Sequence, residues 1–283
     1  MDIKEMFQNV NAMWVRWSDY KIVESKGVRY LLPTDDATIM IYNPLDCGTE
    51  LITDALNMGQ SIQDNQSDTN FVDKQCIDFA RKYGLLGWMT YLPQDTDFNL
   101  EEQVYLGKNG ELMGGKVMNR ENYLNYFYPL KKENSAPIAF SMGREDVFDF
   151  VFNKGYGEPV LWLSAVLISL YTHFFCYLNW DKDEFTADEK AVMRNRAVSF
   201  YNNGISFKLT GTAHPDIVWE TDSLNTAIET LYALAITDKT SPLKMCKHCG
   251  NAYYNSNSRS EFCSAKCRNQ YNVRAFRERN KES

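Results

Sequence analysis

The sequence contains few of the residues that most often act in catalysis. It has three histidines among 283 residues, and its carboxylates form no pair at a spacing that suggests general acid–base chemistry. No catalytic constellation can be assembled from it, so we predict no catalytic residue and favour a protein that is not an enzyme. An enzyme in the body of the chain stays open as an alternative, since catalytic groups need not be near one another in sequence.

Cysteine is also scarce, and its count is odd. Seven cysteines are too few for a disulfide scaffold in a chain of this length. Cys47, Cys76 and Cys176 are scattered, whereas the other four fall within residues 246–267. This distribution predicts a reducing, cytoplasmic location and one metal site. The first residues, MDIKEMFQNV, have no basic flank followed by an apolar run, so no secretory signal is expected.

Positive charge is in the minority overall but is concentrated at one end. The formal net charge is −7. Nine of the 30 Lys/Arg and three of the 37 Asp/Glu lie in residues 244–283, which gives +6 there and leaves −13 in residues 1–243. Such asymmetry indicates two parts with different partners. It excludes a protein that coats nucleic acid broadly, yet it leaves room for one small basic contact surface.

The pattern along the chain predicts an α+β fold, with a mostly helical body and short β-hairpins. Helical spacing is found at 1–20, 48–58, 70–86, from about 144, at 186–203 and at 223–235. Strands are expected at 26–32 and 37–45, and hairpins around Asn109-Gly110 and over 205–220. The helix at 186–203 begins with the capping-box pair Thr186 and Glu189. The acidic body is assigned to residues 1–243, with an internal boundary near 131–137, and a basic C-terminal domain, which contains the four clustered cysteines, to residues 244–283.

One apolar run is long enough to cross a bilayer. Residues 159–180 are 22 residues without a charge. The run nevertheless contains Ser164, His173 and Asn179, and neither flank carries a strong excess of Lys or Arg. We therefore predict a buried core helix and no membrane partner, and we expect His173 to be a satisfied core residue.

The four clustered cysteines have metal-ligand spacing. Cys246 and Cys249 are separated by two residues and followed by Gly250, as in a knuckle that turns two thiolates onto one ion. Cys263 and Cys267 are four residues apart, so they share one face at the start of a helix. Four soft sulfurs with no open position predict a closed, structural zinc site with one Zn²⁺. His248, between the first two cysteines, could replace one of them, but we expect it to point away.

The segment from 244 to 280 resembles a known family. The knuckle CxxCG is followed by an aromatic pair, a polar turn with Arg, the motif FCSxxCRN and a basic helix, which together resemble a treble-clef zinc finger. The segment is similar to the CGNR-type finger at the C-terminus of bacterial ABATE-type transcription regulators, and to FCS-bearing treble clefs in general. The resemblance implies DNA binding and transcription regulation in a bacterial cytoplasm. It also implies four zinc ligands, namely Cys246, Cys249, Cys263 and Cys267.

The helix after the last cysteine is rich in cations. At 100° per residue, Lys266, Arg274 and Arg277 share one sector and Arg268 lies roughly opposite. Val273 and Phe276 fall between the two groups and are expected to pack on the hairpin of the zinc finger. The candidate nucleic-acid contacts are Lys266, Arg268, Arg274 and Arg277.

Three functions follow from these features. The first is a zinc-binding regulator whose body senses or assembles and whose finger contacts DNA or RNA. The second is a protein-interaction module in which the structural zinc finger docks a partner. The third is an enzyme in the body, although the glycine-rich stretch at 110–116 and the serine motif at 139–143 are better explained as a hairpin and a loop before a helix.

Overall fold

The structure is a computed structural model. It describes residues 10–11, 14–25, 27–87, 157–198, 200, 205–210, 216–221, 223–238, 243–255 and 259–280. Several predictions lie outside these residues: the hairpin at 109–110, the boundary at 131–137, the helix from 144, and the motifs at 110–116 and 139–143.

The described residues form short strands and longer helices. The strands are β1 (Val10–Asn11), β2 (Trp14–Trp17), β3 (Tyr20–Ser25), β4 (Val28–Pro33), β5 (Ile39–Tyr42), β6 (Glu158–Pro159), β7 (Ile205–Thr210), β8 (Asp216–Thr221), β9 (Leu243–Met245) and β10 (Ala252–Tyr254). The helices are α1 (Thr49–Asp64), α2 (Thr69–Tyr83), α3 (Val160–Asn179), α4 (Ala187–Arg194), α5 (Leu224–Thr237) and α6 (Ala265–Arg279). The α+β class is confirmed.

The strands pair in four small sheets. β3, β4 and β6 form an antiparallel sheet, β2 pairs with β5, and β9 pairs with β10. β7 and β8 form the predicted antiparallel hairpin, and β1 adds to it in parallel with β8. β4 and β5 confirm the strands expected from the sequence. The described strands therefore form four separate small sheets, and β2 and β4 contribute buried residues to the core.

The helical interpretation of residues 1–20 is wrong over its described part, where the chain forms β1, β2 and the start of β3. Trp14, Val15 and Trp17 are all buried. Since successive residues of a strand point to opposite faces, β2 is buried on both. Such a strand loses the alternation of apolar and polar residues, and over a short stretch its apolar spacing imitates a helix.

Capping side chains start the helices where the sequence places them. Asp68 accepts the N–H of Phe71 at the start of α2. The capping box of Thr186 and Glu189 is present at α4 with both of its hydrogen bonds. α4 nevertheless ends at Arg194, well before the predicted residue 203. It buries none of its residues, so packing does not stabilise further turns.

The apolar helix α3 is at the centre of the core. Within the described residues it is the one helix long and apolar enough to cross a membrane, with a mean hydropathy of 1.6. Half of that window is buried, which is compatible with the core helix of a soluble protein. α3 packs closely on α1, since a Cβ added to Gly59 would lie 2.2 Å from the carbonyl oxygen of Leu167. The half-buried His173 is satisfied by the hydroxyl of Tyr232 at 2.7 Å, and burial lowers the pKa of this imidazole.

The hairpin β9–β10 is fixed to the rest of the molecule by both apolar and polar contacts. Leu243 and Ala252 are 3% and 7% exposed and belong to the same apolar cluster as the residues of α1 and α3. The hydroxyl of Tyr254 donates to the carboxylate of Asp238, which follows α5, at 2.7 Å. These contacts set the position of the cysteine motif that lies between the two strands.

Candidate metal centre

The first cysteine pair lies in a tight turn between β9 and β10. The N–H of Gly250 donates to the carbonyl of Cys246 at 2.9 Å, and the N–H of Cys246 donates to the carbonyl of Asn251 at 2.8 Å. Gly250 has a φ of +74°, in the left-handed region that side chains disfavour. The turn over residues 246–250, hereafter the knuckle, therefore has the glycine where its geometry requires one.

The second pair lies at the start of α6. The hydroxyl of Ser264 caps this helix by accepting the N–H of Cys267 at 3.2 Å. The cap fixes Cys263 just before the helix and Cys267 in its first turn. The two sulfurs are 3.4 Å apart. The helix start thus presents both thiols to the knuckle.

The four cysteines cluster within metal-binding distance, consistent with a zinc finger. The sulfurs of Cys246, Cys249, Cys263 and Cys267 all lie within 4.8 Å of one another. The sulfurs of Cys249 and Cys263 are 3.8 Å apart. A tetrahedral zinc ion with Zn–S bonds of about 2.3 Å spaces its sulfurs by about 3.8 Å. The cluster could therefore hold a metal ion with little rearrangement.

The environment of Cys246 favours an anionic sulfur. Its burial raises the pKa, but backbone N–H groups of Cys249, Cys263 and His248 outweigh burial and lower the pKa to about 6. The N–H of Cys263 lies 3.5 Å from this sulfur. Hydrogen bonds of this kind stabilise a thiolate, the form of cysteine that binds metals.

The raised pKa values of Cys249 and Cys263 indicate that the cluster needs a bound cation before all of its thiols can ionise. Burial, together with the neighbouring thiols of Cys267, Cys246 and Cys249, raises the pKa of Cys263 to about 12. Burial also raises the pKa of Cys249. Four sulfurs this close cannot all ionise unless a positive charge lies between them, and a divalent ion would displace their protons. The donor set suits a soft divalent metal.

His248 lies outside the cluster. Its ring nitrogens are not among the grouped ligand atoms of the described residues, in agreement with the expectation that it points away. Instead it lines an open groove of about 590 Å³ between the knuckle and α6, hereafter the knuckle groove. The groove is lined by His248, Asn269, Gln270, Val273, Arg274, Arg277 and Glu278.

None of the residues of helix α6 is buried, and most of them are exposed. Lys266, Arg268, Arg274 and Arg277 are all exposed. Arg274 pairs with Glu278 at 2.8 Å, whereas the described residues show no carboxylate paired with the other three cations. Over the part of the chain that the structure describes, the acidic body therefore leaves these cations uncovered.

The structure separates the four cations into two groups. Arg274 and Arg277 line the knuckle groove, and Lys266 lies in the same sector of the helix. Arg268 lines a second open groove of about 370 Å³ at the helix start, together with Arg259. The sequence placed Arg268 opposite the others, but it did not single out Arg259.

The expected packing of Val273 and Phe276 on the hairpin is wrong. Their side chains are 49% and 61% exposed. The aromatic contact between α6 and the preceding loop is made by Tyr271, whose ring lies 5.3 Å from that of Phe262. Tyr271 is half-buried, so the helix presents a different face inward from the one expected. Two apolar side chains are consequently left on the surface beside the arginines.

No protein-family model, no curated protein and no solved structure matches the chain. The candidate site is therefore defined by its own geometry. It is a four-cysteine cluster consistent with a zinc finger, followed directly by an exposed basic helix.

Proposed function

We propose that the protein is a zinc-binding regulator whose α6 contacts DNA or RNA. The observation that carries the proposal is the cluster of four sulfurs within 4.8 Å at the start of an exposed basic helix. Four thiolates leave no open coordination position, so the zinc is structural and not catalytic. The proposed ligands are Cys246, Cys249, Cys263 and Cys267.

Charge supports phosphate contact. Lys266, Arg274 and Arg277 share a sector of α6, and Arg268 adds a fourth cation on the other side. Residues 244–283 carry +6, and a zinc ion with four thiolates lowers this to about +4. The −13 of the remaining chain is screened beyond about 8 Å at physiological salt. Local binding by the helix is compatible with an acidic protein.

The resemblance to CGNR-type fingers supports the regulatory part of the proposal. It favours a bacterial, cytoplasmic transcription regulator in which residues 1–243 sense a ligand or assemble. The exposed Val273 and Phe276 favour a second candidate, a protein-interaction module in which zinc only holds α6 in place for a protein partner.

Metal analysis of the purified full chain tests the zinc site. We expect one zinc per chain, and less than one in Cys263→Ser because a ligand is lost. Cys47→Ser is the matched control, since Cys47 lies outside the cluster of ligand atoms. Stoichiometric zinc in Cys263→Ser would exclude the four-cysteine site.

A salt titration tests nucleic-acid binding. With about four phosphates engaged, log K should fall with log[salt] at a slope of about −3 to −4. The double variant Arg274→Ala/Arg277→Ala should reduce the steepness by about 2. Lys74→Ala, an exposed cation on α2, should leave the slope unchanged. Zinc-loaded protein that binds no nucleic acid at low salt would favour the protein-interaction module instead.

A further inference from the structure

Two rows of side chains run next to each other along α6. Residues three and four apart share a helix face, so each row follows that spacing. The cationic row consists of Lys266, Arg274 and Arg277, with the uncharged Gln270 among them. The apolar row consists of Val273 and Phe276, with the polar Asn269 one turn before them. All seven residues are exposed. The helix thus offers charge and an aromatic face side by side.

The knuckle groove lies alongside these rows. His248 forms one of its borders, and the groove has a volume of about 590 Å³. Asn269 and Gln270 add side-chain amides, each with donors and an acceptor. Arg274 and Arg277 add positive charge, part of which is neutralised by Glu278. The groove therefore combines groups that suit a phosphate with groups that suit the polar edge of a nucleobase.

The exposed ring of Phe276 favours single-stranded over duplex nucleic acid as the target. In a duplex the bases stack on one another, and a protein reaches only their edges and the backbone. A ring beside the arginines can touch base edges of such a target, for example a thymine methyl, but has no free base face on which to stack. In a single strand the base faces are free, and sequence-independent binding combines a positive groove with aromatic rings on which bases stack.

The charges of the groove disfavour an apolar protein segment as the occupant. Such a segment would cover Arg274 and Arg277 without bringing a negative charge of its own. The two guanidinium groups would then have Glu278 of the same helix as their carboxylate partner. An unpaired guanidinium loses its hydration on burial, which makes that complex costly. A nucleic-acid strand brings a phosphate for each nucleotide and so complements the cationic row.

From these observations we infer that the knuckle groove and the apolar row bind single-stranded nucleic acid, with a base stacked on Phe276. The inference rests on the proposed nucleic-acid function and makes it more specific. The phosphates contact Lys266, Arg274 and Arg277, while Asn269 and Gln270 face the edges of the bases.

Fluorescence anisotropy with the zinc-loaded full chain tests the inference. The probes are a labelled 20-nucleotide oligo-dT strand and a duplex of the same length at the same salt. We expect the single strand to bind at least tenfold more tightly. Phe276→Leu should weaken binding of the strand about five- to 150-fold, the range for loss of one base–aromatic stack.

Leucine keeps the apolar character of position 276 and removes only the ring, so the variant isolates stacking. Phe276→Trp restores a ring and should restore the affinity. The salt slope of Phe276→Leu should equal that of the parent, because no charge is lost. Leu161→Ala, an exposed apolar residue on α3, is the matched control and should bind normally.

The outcomes separate the inference from the proposed function. Equal affinity for strand and duplex, with Phe276→Leu unaffected, would overturn the inference and leave phosphate binding by α6 intact. Failure of both probes to bind would overturn both. A strand of abasic sites supports the inference if it loses at least the same factor as Phe276→Leu, because the base edges are removed as well, and contradicts it if it binds like oligo-dT.

Discussion

Asn57 and Ala252, 195 residues apart in sequence, are joined by two reciprocal hydrogen bonds. The amide nitrogen of Asn57 donates to the carbonyl of Ala252 at 3.2 Å, and the N–H of Ala252 donates to the amide oxygen of Asn57 at 2.6 Å. One side chain of α1 thus imitates a neighbouring strand for β10. Since β10 follows the knuckle directly, α1 holds one side of the candidate metal centre.

Asn57→Ala should destabilise this attachment. The variant leaves the N–H and carbonyl of Ala252 without the partner that Asn57 provides, which costs about 1–3 kcal/mol in the free energy of unfolding. We also expect faster transfer of zinc to a colorimetric chelator, because the knuckle opens more often. Thr53→Ala, one turn earlier on α1, is the control and should behave like the parent. Equal zinc release from Asn57→Ala and the parent would contradict a supporting role.

Removal of the metal should destabilise the apolar core as well as the cysteine motif. Leu243 and Ala252 share the apolar core with α1 and α3. A metal that binds only the folded state stabilises everything that unfolds with its site. We therefore expect a strong chelator to lower the melting temperature reported by near-ultraviolet circular dichroism, a signal to which buried residues such as Trp14 and Trp162 contribute. An unchanged transition would show that the centre unfolds independently of the core.

Gly59→Ala should disrupt the contact between α1 and α3. The new methyl would lie 2.2 Å from the carbonyl oxygen of Leu167 and 3.0 Å from the Cβ of Tyr171. Overpacking costs up to about 3 kcal/mol, and alanine's helix propensity returns about 1 kcal/mol. We expect a net loss of about 2 kcal/mol in urea unfolding. Ser61→Ala, on the same helix, should cost little, and a stabilised Gly59→Ala variant would show that the two helices are further apart.

The stability of the protein should depend on pH through Glu229. Burial raises the pKa of this carboxyl to about 7, although a hydrogen bond from Asn225 lowers it in part; its ordinary value is 4.5. Between these values the folded state keeps a proton that the unfolded state releases, so stability falls as pH rises from about 4.5 to 7. The full effect is about 3 kcal/mol.

Glu229→Gln should remove this dependence. Its amide oxygen can still accept the hydrogen bond from Asn225, and no charge has to be buried at high pH. We expect the variant to be more stable than the parent at pH 8 and similar to it at pH 5, measured by urea unfolding. Comparison at the same pH cancels the effect of protons on the thiols. A constant difference between the two proteins would mean that Glu229 is not the responsible group.

Local patterns made much of the fold predictable. Thr186 and Glu189 are three residues apart and form the expected capping box, and the hairpin of β7 and β8 follows from its strand pattern. The spacing of the four cysteines likewise predicted their cluster. Each of these features depends on residues close in sequence, where backbone geometry alone fixes which side chains meet.

Other features depended on which surfaces pack together. Trp14 and Val15 lie on opposite faces of one strand, and both faces are buried. The spacing of apolar residues in the sequence does not show that the second face is buried as well. Phe276 is exposed because Tyr271 occupies the inward face of α6.

The sequence by itself therefore determined the metal-binding motif, the charge of the helix after it and the main helices, since periodicity and spacing encode local structure. Only the tertiary structure decided that α1 holds the knuckle through Asn57 and that the arginines and Phe276 face outward. The contact of Asn57 joins segments 195 residues apart. Both features are set by how whole elements pack, which the spacing of neighbouring residues in the chain does not encode.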